Sequence, residues 1–269
     1  FSSHGSRARC RRAQPDGQLM ISGPLLITGT GTDVGKTIVT ATVAINALRA
    51  GQRVAVIKPG QTGVGPADPG DVDVVRSLVA SAVSGEQLAG LTTHELARFT
   101  HPLAPAAAAR LAHLPALSLS EVVTQCHAIS ETADLTVIEG AGGLLVNFSD
   151  HAPWTVADLA REVSAKVVVV VASGLGTLHH TAATVEAANG RDLDVLGLII
   201  GAWPRTPDLA ACANLADLDA IAPLIGALPE NSGVRHDLSD IAARSLGPEL
   251  GGRFDAADFA QAHRPEEAL

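Results

Sequence analysis

The chain has 269 residues, 46% of them apolar and none of them Tyr, and its 19 basic residues face 28 acidic ones for a net charge of -9. That length can bury a large core, and the acidic balance argues against a nucleic-acid partner, which needs a basic face. No uncharged apolar run is long enough to span a bilayer, and the scattered Cys10, Cys126 and Cys212 fit neither a disulfide framework nor a zinc site, so a cytoplasmic location is expected.

Residues 1–19 carry Arg7, Arg9, Arg11 and Arg12 among small polar residues, with no apolar stretch of the kind a secretory signal needs. They read as a disordered tail or an expression remnant, and Met20, the only Met, as the natural start. From Pro24 onward, short runs rich in Val, Ile and Leu alternate with helix-like segments. The expected strands are Pro24 to Thr28, Arg53 to Lys58, Leu135 to Glu139, Lys166 to Ala172, Val195 to Gly201 and Leu224 to Leu228. The expected helices are Lys36 to Ala50, Leu117 to Glu131, Val156 to Val163, Thr177 to Asn189 and Leu209 to Ala220, with a further one opening at Gly70-Asp71. Such alternation predicts an α/β fold, with residues 20–269 a single domain. Its sheet is mostly parallel and doubly wound, with helices on both faces. Ligands of such sheets bind beyond the carboxyl ends of the strands. Residues 59–70, rich in Gly, Pro and Asp, read as a mobile loop over that edge.

The first strand runs into Gly29-Thr30-Gly31-Thr32-Asp33-Val34-Gly35-Lys36-Thr37 and then an alanine-rich helix. Strand, glycine loop and helix in that order make a P-loop. Its backbone N–H groups turn inward around phosphate oxygens, and the helix N-terminus adds partial positive charge. Lys36 can reach the β and γ phosphates, and the Thr37 hydroxyl can ligate Mg²⁺. Thr30 stands where the usual spacing has its first Gly, so the loop is slightly long. Lysine usage supports the assignment. Only Lys36, Lys58 and Lys166 occur against sixteen Arg, and a compact ammonium fits a crowded phosphate site where a guanidinium does not. Lys166 belongs to no motif and reads as structural.

Three further strand ends carry chemistry. Lys58-Pro59-Gly60-Gln61-Thr62-Gly63 sets a cation and a hydroxyl where a substrate can lie opposite the phosphates. Asp71 and Asp73 open the next helix; most Asp residues there are caps, but a triphosphate-bound Mg²⁺ also takes carboxylates, and Asp71 is the first choice with Asp73 in reserve. Glu139-Gly140-Ala141-Gly142-Gly143 supplies a second metal carboxylate followed by glycines that let backbone approach a ligand. Gly174 to His180 opens a helix whose free N–H groups can hold a substrate carboxylate; the adjacent His179 and His180 point apart on a helix and do not suggest a metal site.

These four motifs, in this order over about residues 24 to 231, resemble dethiobiotin synthetase, whose long phosphate loop is that family's own variant. The resemblance implies a P-loop ligase of biotin synthesis using Mg²⁺ and ATP. In that family 7,8-diaminononanoate and CO₂ form a carbamate, which attacks the γ-phosphate, and the second amine closes the resulting anhydride to a ureido ring. By resemblance Lys58 and Lys36 are catalytic, and Thr37, Asp71 and Glu139 hold the metal. Asp33, Val34, Gly35, Ile38, Gly140, Ala141 and Gly142 join them around the nucleotide. Thr32, Thr62, Gly176, Thr177 and Leu178 touch the substrate, the last three from a second subunit, which implies a homodimer. Two positions depart from the pattern. Gly201-Ala202 replaces an Asn that reads adenine in many members, so backbone there and at Pro229, Glu230 and Asn231 is expected to frame the base, with CTP or another triphosphate as an alternative to ATP. His179 stands where Asn is usual.

Two rivals share the loop and sheet. A cobyrinate-type amidoligase normally adds a glutaminase domain, for which the residues after Leu228 are too few. A partitioning or regulatory ATPase places a signature Lys early in the loop, where this chain has Gly31.

Overall fold

The computed structural model describes residues 20–264; the expected tail at 1–19 lies outside the described residues. The chain enters through β1 (Gly23–Gly29) and α1 (Lys36–Arg49), then β2 (Val54–Lys58) and the two-residue β3 (Gln61–Thr62). Next come α2 (Asp71–Ala82), the single turn α3 (Gly85–Leu88), β4 (Leu91–Glu95), β5 (Arg98–Phe99), α4 (Pro105–Ala112) and α5 (Leu119–Ser130). The second half continues with β6 (Leu135–Glu139), α6 (Val156–Glu162), β7 (Lys166–Val171), α7 (Thr177–Asn189), β8 (Val195–Trp203), α8 (Leu209–Ile221) and β9 (Leu224–Pro229). Two helices, α9 (Leu238–Ser245) and α10 (Ala256–Ala262), close the described chain.

Seven strands form one sheet in the order β4-β2-β6-β1-β7-β8-β9, and every neighbouring pair in it is parallel. The expected doubly wound α/β architecture is therefore correct. The period of two along each strand explains why central strands read as unbroken apolar runs. In β7, Val167, Val169 and Val171 enter the core that includes Val156 and Leu159 of α6, Val185 of α7 and Leu215 of α8. Val168 and Val170 enter the opposite core, with residues of α1, α2 and α9. Helix α1 is buried almost all round from Val39 to Leu48, consistent with its apolar composition.

Several expectations needed correction. β4 was not expected: Leu91-Thr92-Thr93-His94-Glu95 is polar because it pairs only with β2 at the sheet edge. Helix α5 begins at Leu119, two residues later than expected, with Ser118 preceding it. The 59–70 segment is tied down rather than free. β3 pairs with β5, and the Arg98 guanidinium donates to Gly65 O at 2.8 Å and Asp68 O at 2.5 Å.

Candidate active site

The carboxyl ends of β1, β2 and β6 bring the sequence motifs together. β1 lies between β6 and β7, and β2 pairs with β6, so the turns after β1, β2 and β6 are side by side. The phosphate loop needs two left-handed residues, Asp33 at φ 58° and Gly35 at φ 99°. At Gly35 a side chain is doubly excluded, because a Cβ would also lie 2.8 Å from Gly201 O. α1 then starts at Lys36 without a side-chain cap, leaving its first N–H groups facing the loop.

A cleft of about 700 Å³ opens above this loop. Of the expected residues, Thr32, Asp33, Gly35, Lys36, Thr37 and Ile38 line it from the loop side, and Lys58, Thr62, Ala141 and Gly142 from the other strand ends. The far wall is Pro102, Leu103, Ala104 and Pro105, with Val146, none of which the sequence pointed to, and with Gln61, which belongs to the Lys58-to-Gly63 motif but carried no role there. Two prolines in a loop signal a fixed turn but not its destination, so only the three-dimensional fold places that wall.

Beneath the cleft lies a buried charge cluster. Lys58 Nζ is 2.6 Å from Asp71 Oδ2 and 2.9 Å from Glu139 Oε1, and it donates to Gly140 O at 3.0 Å. Thr37 Oγ1 donates to the same Glu139 Oε1 at 2.9 Å. Burial would lower the pKa of Lys58, but the Glu139 and Asp71 carboxylates outweigh it and hold the ammonium above its ordinary value. Lys36 is shifted the other way, by burial first and by the Lys58 charge second, with Glu139, Asp71 and Asp33 offsetting in part. Its Nζ donates to Gly31 O at 2.7 Å. The two aspartates have different partners. Asp71 turns to Lys58, whereas Asp73 Oδ2 accepts the Gly70 N–H at 2.8 Å as a helix cap.

The donor set fits Mg²⁺. Glu139 Oε2 is buried and has no hydrogen-bond partner, so one carboxylate oxygen is left for a cation beside the Thr37 hydroxyl and Asp71. Among the described residues no group of three or more His, Cys, Asp or Glu converges. A hard cation here would therefore complete its shell with phosphate oxygens and water, as Mg²⁺ commonly does.

The remaining expected residues do not line the cleft. Val34 packs its backbone against β8, where a Cβ on Gly201 would meet Val34 O at 1.9 Å. Ala202 is exposed, Glu230 N donates to Trp203 O at 2.7 Å, and Asn231 is left-handed at φ 59°. Gly176, Thr177 and Leu178 do not line the cleft of their own chain. Gly176 is left-handed at φ 92°, and the Thr177 hydroxyl is spent on Ala172 O at 2.7 Å. Lys166 is a surface strand residue 3.9 Å from Asp194, consistent with a structural reading.

Known proteins resemble this chain in sequence and in fold. A family model described as an AAA domain matches residues 24–237. Among solved structures, the MinC:MinD cell division protein complex of Aquifex aeolicus aligns with a TM-score of 0.50 at 15% identity, covering 92% of this chain and 99% of that one, a likeness that bears on the fold alone. The ATP-dependent dethiobiotin synthetase BioD of Parafrankia sp. (strain EAN1pec) is 47% identical over 239 residues, covering 87% of this chain and 96% of that protein. The protein of the same name from Streptomyces avermitilis is 47% identical over 245 residues, covering 90% and 99%. With a P-loop, a lysine-centred carboxylate cluster and near-complete relatives of this kind, the chain belongs to the ATP-dependent dethiobiotin synthetase family.

Proposed function

We propose that the chain closes the ureido ring of dethiobiotin from 7,8-diaminononanoate, CO₂ and a nucleoside triphosphate, as an ATP-dependent, Mg²⁺-requiring ligase of biotin synthesis. The observation that carries this reading is Lys58, a 3% exposed cation held between Asp71 and Glu139 at the floor of the phosphate-loop cleft. A nucleotide-binding module has no need of such a group. Carbamate and triphosphate are both anions, so bringing them into contact requires fixed positive charge.

In this reading Lys36 and the loop N–H groups from Asp33 to Ile38 would hold the phosphates, and Thr37, Asp71 and Glu139 would hold Mg²⁺. The metal, when bound, neutralises charge on the transferring phosphoryl group. Lys58, on giving up its ion pair with Asp71, would orient the carbamate oxygen toward the γ-phosphate and offset its charge, and the Thr62 hydroxyl would bond the amine end. Ring closure then needs only the second amine, held by the same cleft, to displace phosphate from the carbamoyl phosphate anhydride. The base is framed by backbone at Gly201, Ala202, Pro229, Glu230 and Asn231. No side-chain amide at 201 selects adenine, which supports acceptance of CTP or other triphosphates beside ATP. Gly176, Thr177 and Leu178 do not line the cleft of their own chain, which supports service of the N–H groups at this helix start to the cleft of a second copy in a homodimer.

Purified protein with Mg²⁺, ATP and bicarbonate should release phosphate only when the diamine is added. Diamine-independent release would replace the ligase reading with an ATPase one. Lys58→Ala should lower kcat by about a hundredfold or more, the scale of losing a buried electrostatic contact to a transition state, with nucleotide affinity changed far less.

A further inference from the structure

Gln61 is 4% exposed, and the proposed chemistry makes no use of it. Its Oε1 accepts the Asp71 N–H at 2.8 Å, while its Nε2 donates to Thr62 O at 3.2 Å. Asp71 is the first residue of α2, and the residue before it, Gly70, has no side chain with which to cap the helix. Gln61 thus satisfies from another element an N–H that would otherwise be an orphan of the first turn.

The surroundings of this bond are stiff. Gln61 stands opposite Arg98 in the β3–β5 pair. Arg98 grips Glu95 through two bonds, Nε to Oε1 at 2.6 Å and Nη2 to Oε2 at 2.8 Å. A Cβ placed on Gly70 would meet Glu95 Oε2 at 2.6 Å, Arg98 Nη2 at 3.0 Å and Gln61 Oε1 at 3.1 Å, so these three side chains fill the space beside Gly70. The two-residue sheet therefore fixes the point at which α2 begins. That point decides whether the Asp71 carboxylate reaches Lys58, which it does at 2.6 Å.

We propose that Gln61 is the positioning residue of the cation site: by accepting the Asp71 N–H it sets the Asp71 carboxylate against Lys58 and thereby tunes divalent-cation affinity. The inference rests on Asp71 being a cation ligand. Gln61 touches neither phosphate nor metal in this role; it acts through Asp71.

The test uses the full chain and three variants: Gln61→Met, which keeps side-chain length and removes the acceptor; Gln61→Glu, which keeps the acceptor; and Asp71→Asn. Mn²⁺ binding in the presence of a non-hydrolysable ATP analogue is followed by electron paramagnetic resonance, a readout independent of turnover, beside thermal unfolding. Gln61→Met should weaken Mn²⁺ binding about tenfold, the scale of one buried hydrogen bond lost, with its melting temperature near wild type, and Gln61→Glu should recover most of that loss. Should Gln61→Met not fold, Gln61→Asn, which draws the acceptor back by one methylene, is expected to weaken Mn²⁺ in the same direction. Unchanged Mn²⁺ affinity in Gln61→Met or its stand-in, while Asp71→Asn weakens it, overturns the positioning role and leaves Asp71 a ligand. Loss of affinity in Gln61→Glu as deep as in Gln61→Met also overturns it, since the acceptor would then be irrelevant. Unchanged affinity in Asp71→Asn overturns the ligand reading beneath it.

Discussion

A side chain at position 201 has no room, and this shapes how the nucleotide loop sits. Gly201 backs directly onto the loop: its Cβ would fall 1.9 Å from Val34 O, a backbone atom that cannot swing aside. Gly35, on the other side of the same contact, would place a Cβ 2.8 Å from Gly201 O. Two glycines thus let β8 and the phosphate loop touch backbone to backbone. Installing the Asn found in many family members would not simply add a base-reading amide, because the loop would first have to move. Even Gly201→Ala should cost about 1–3 kcal/mol through overpacking. It should also weaken ATP and CTP binding by similar factors, as measured by titration calorimetry, because the displaced part is the loop and not a base contact. Selective loss of one base would contradict this account. Lys58 illustrates a different residue-level balance. Its raised pKa keeps it cationic below its unfolded value of 10.5, so the stability it gains from Asp71 and Glu139 is present throughout the neutral range and is lost only as pH rises through the folded value.

At the level of elements, α1 connects the phosphate loop to the far end of the molecule. Asn46, 4% exposed and about 15 Å along the helix from Lys36, donates to Ala242 O of α9 at 2.9 Å and to Leu250 O at 3.1 Å. Ala242 lies near the end of α9, where carbonyls lack intrahelical partners. Asn46→Ala should leave both acceptors buried and unpaired, at about 2–4 kcal/mol together, lowering the melting temperature by roughly 4–15 °C for a chain of this size. Differential scanning calorimetry would measure this, with kcat at 25 °C expected to stay near wild type; a melting temperature within a degree of wild type would refute the anchoring role. The same long-range character separates what was legible in the sequence from what was not. The phosphate loop, Lys58 and Glu139 could be read because each lies within a few residues of a buried strand, where local pattern and chemistry coincide. The bond from Asp71 N–H to Gln61 could not, because the two residues are ten apart in the chain and meet only once β3 has paired with β5. The split between Asp71 and Asp73 needed the rotation of α2, and the edge strand β4 was hidden by its own polarity.

Across the whole molecule, the carboxyl rim of the sheet is uneven. Its β1, β2 and β6 portion is covered by the cleft and its wall, whereas beyond β7, β8 and β9 stand Leu175, Leu209 and Val234, exposed by 93%, 72% and 81%. Three exposed apolar side chains on one rim are more than scattered surface leucines require, and Leu175 directly precedes the start of α7, whose residues do not line the cleft of their own chain. The proposed homodimer joins these facts: one subunit supplies Lys58, and its partner supplies the start of α7. Light scattering should then give a mass twice the 27.4 kDa of the chain. A sharper check exploits the exposed His179 in the first turn of α7. His179→Glu places negative charge where a helix N-terminus tolerates it, so the fold should survive while the substrate carboxylate is repelled and the diamine KM rises strongly. Mixed in equal amounts with Lys58→Ala and allowed to exchange subunits, the two impaired variants should form heterodimers holding one intact and one doubly damaged site. Activity should recover to about a quarter of wild type, since half the dimers are mixed and each carries one good site in two. If cleft and α7 turn instead work within one chain, every site in the mixture remains impaired and no recovery occurs.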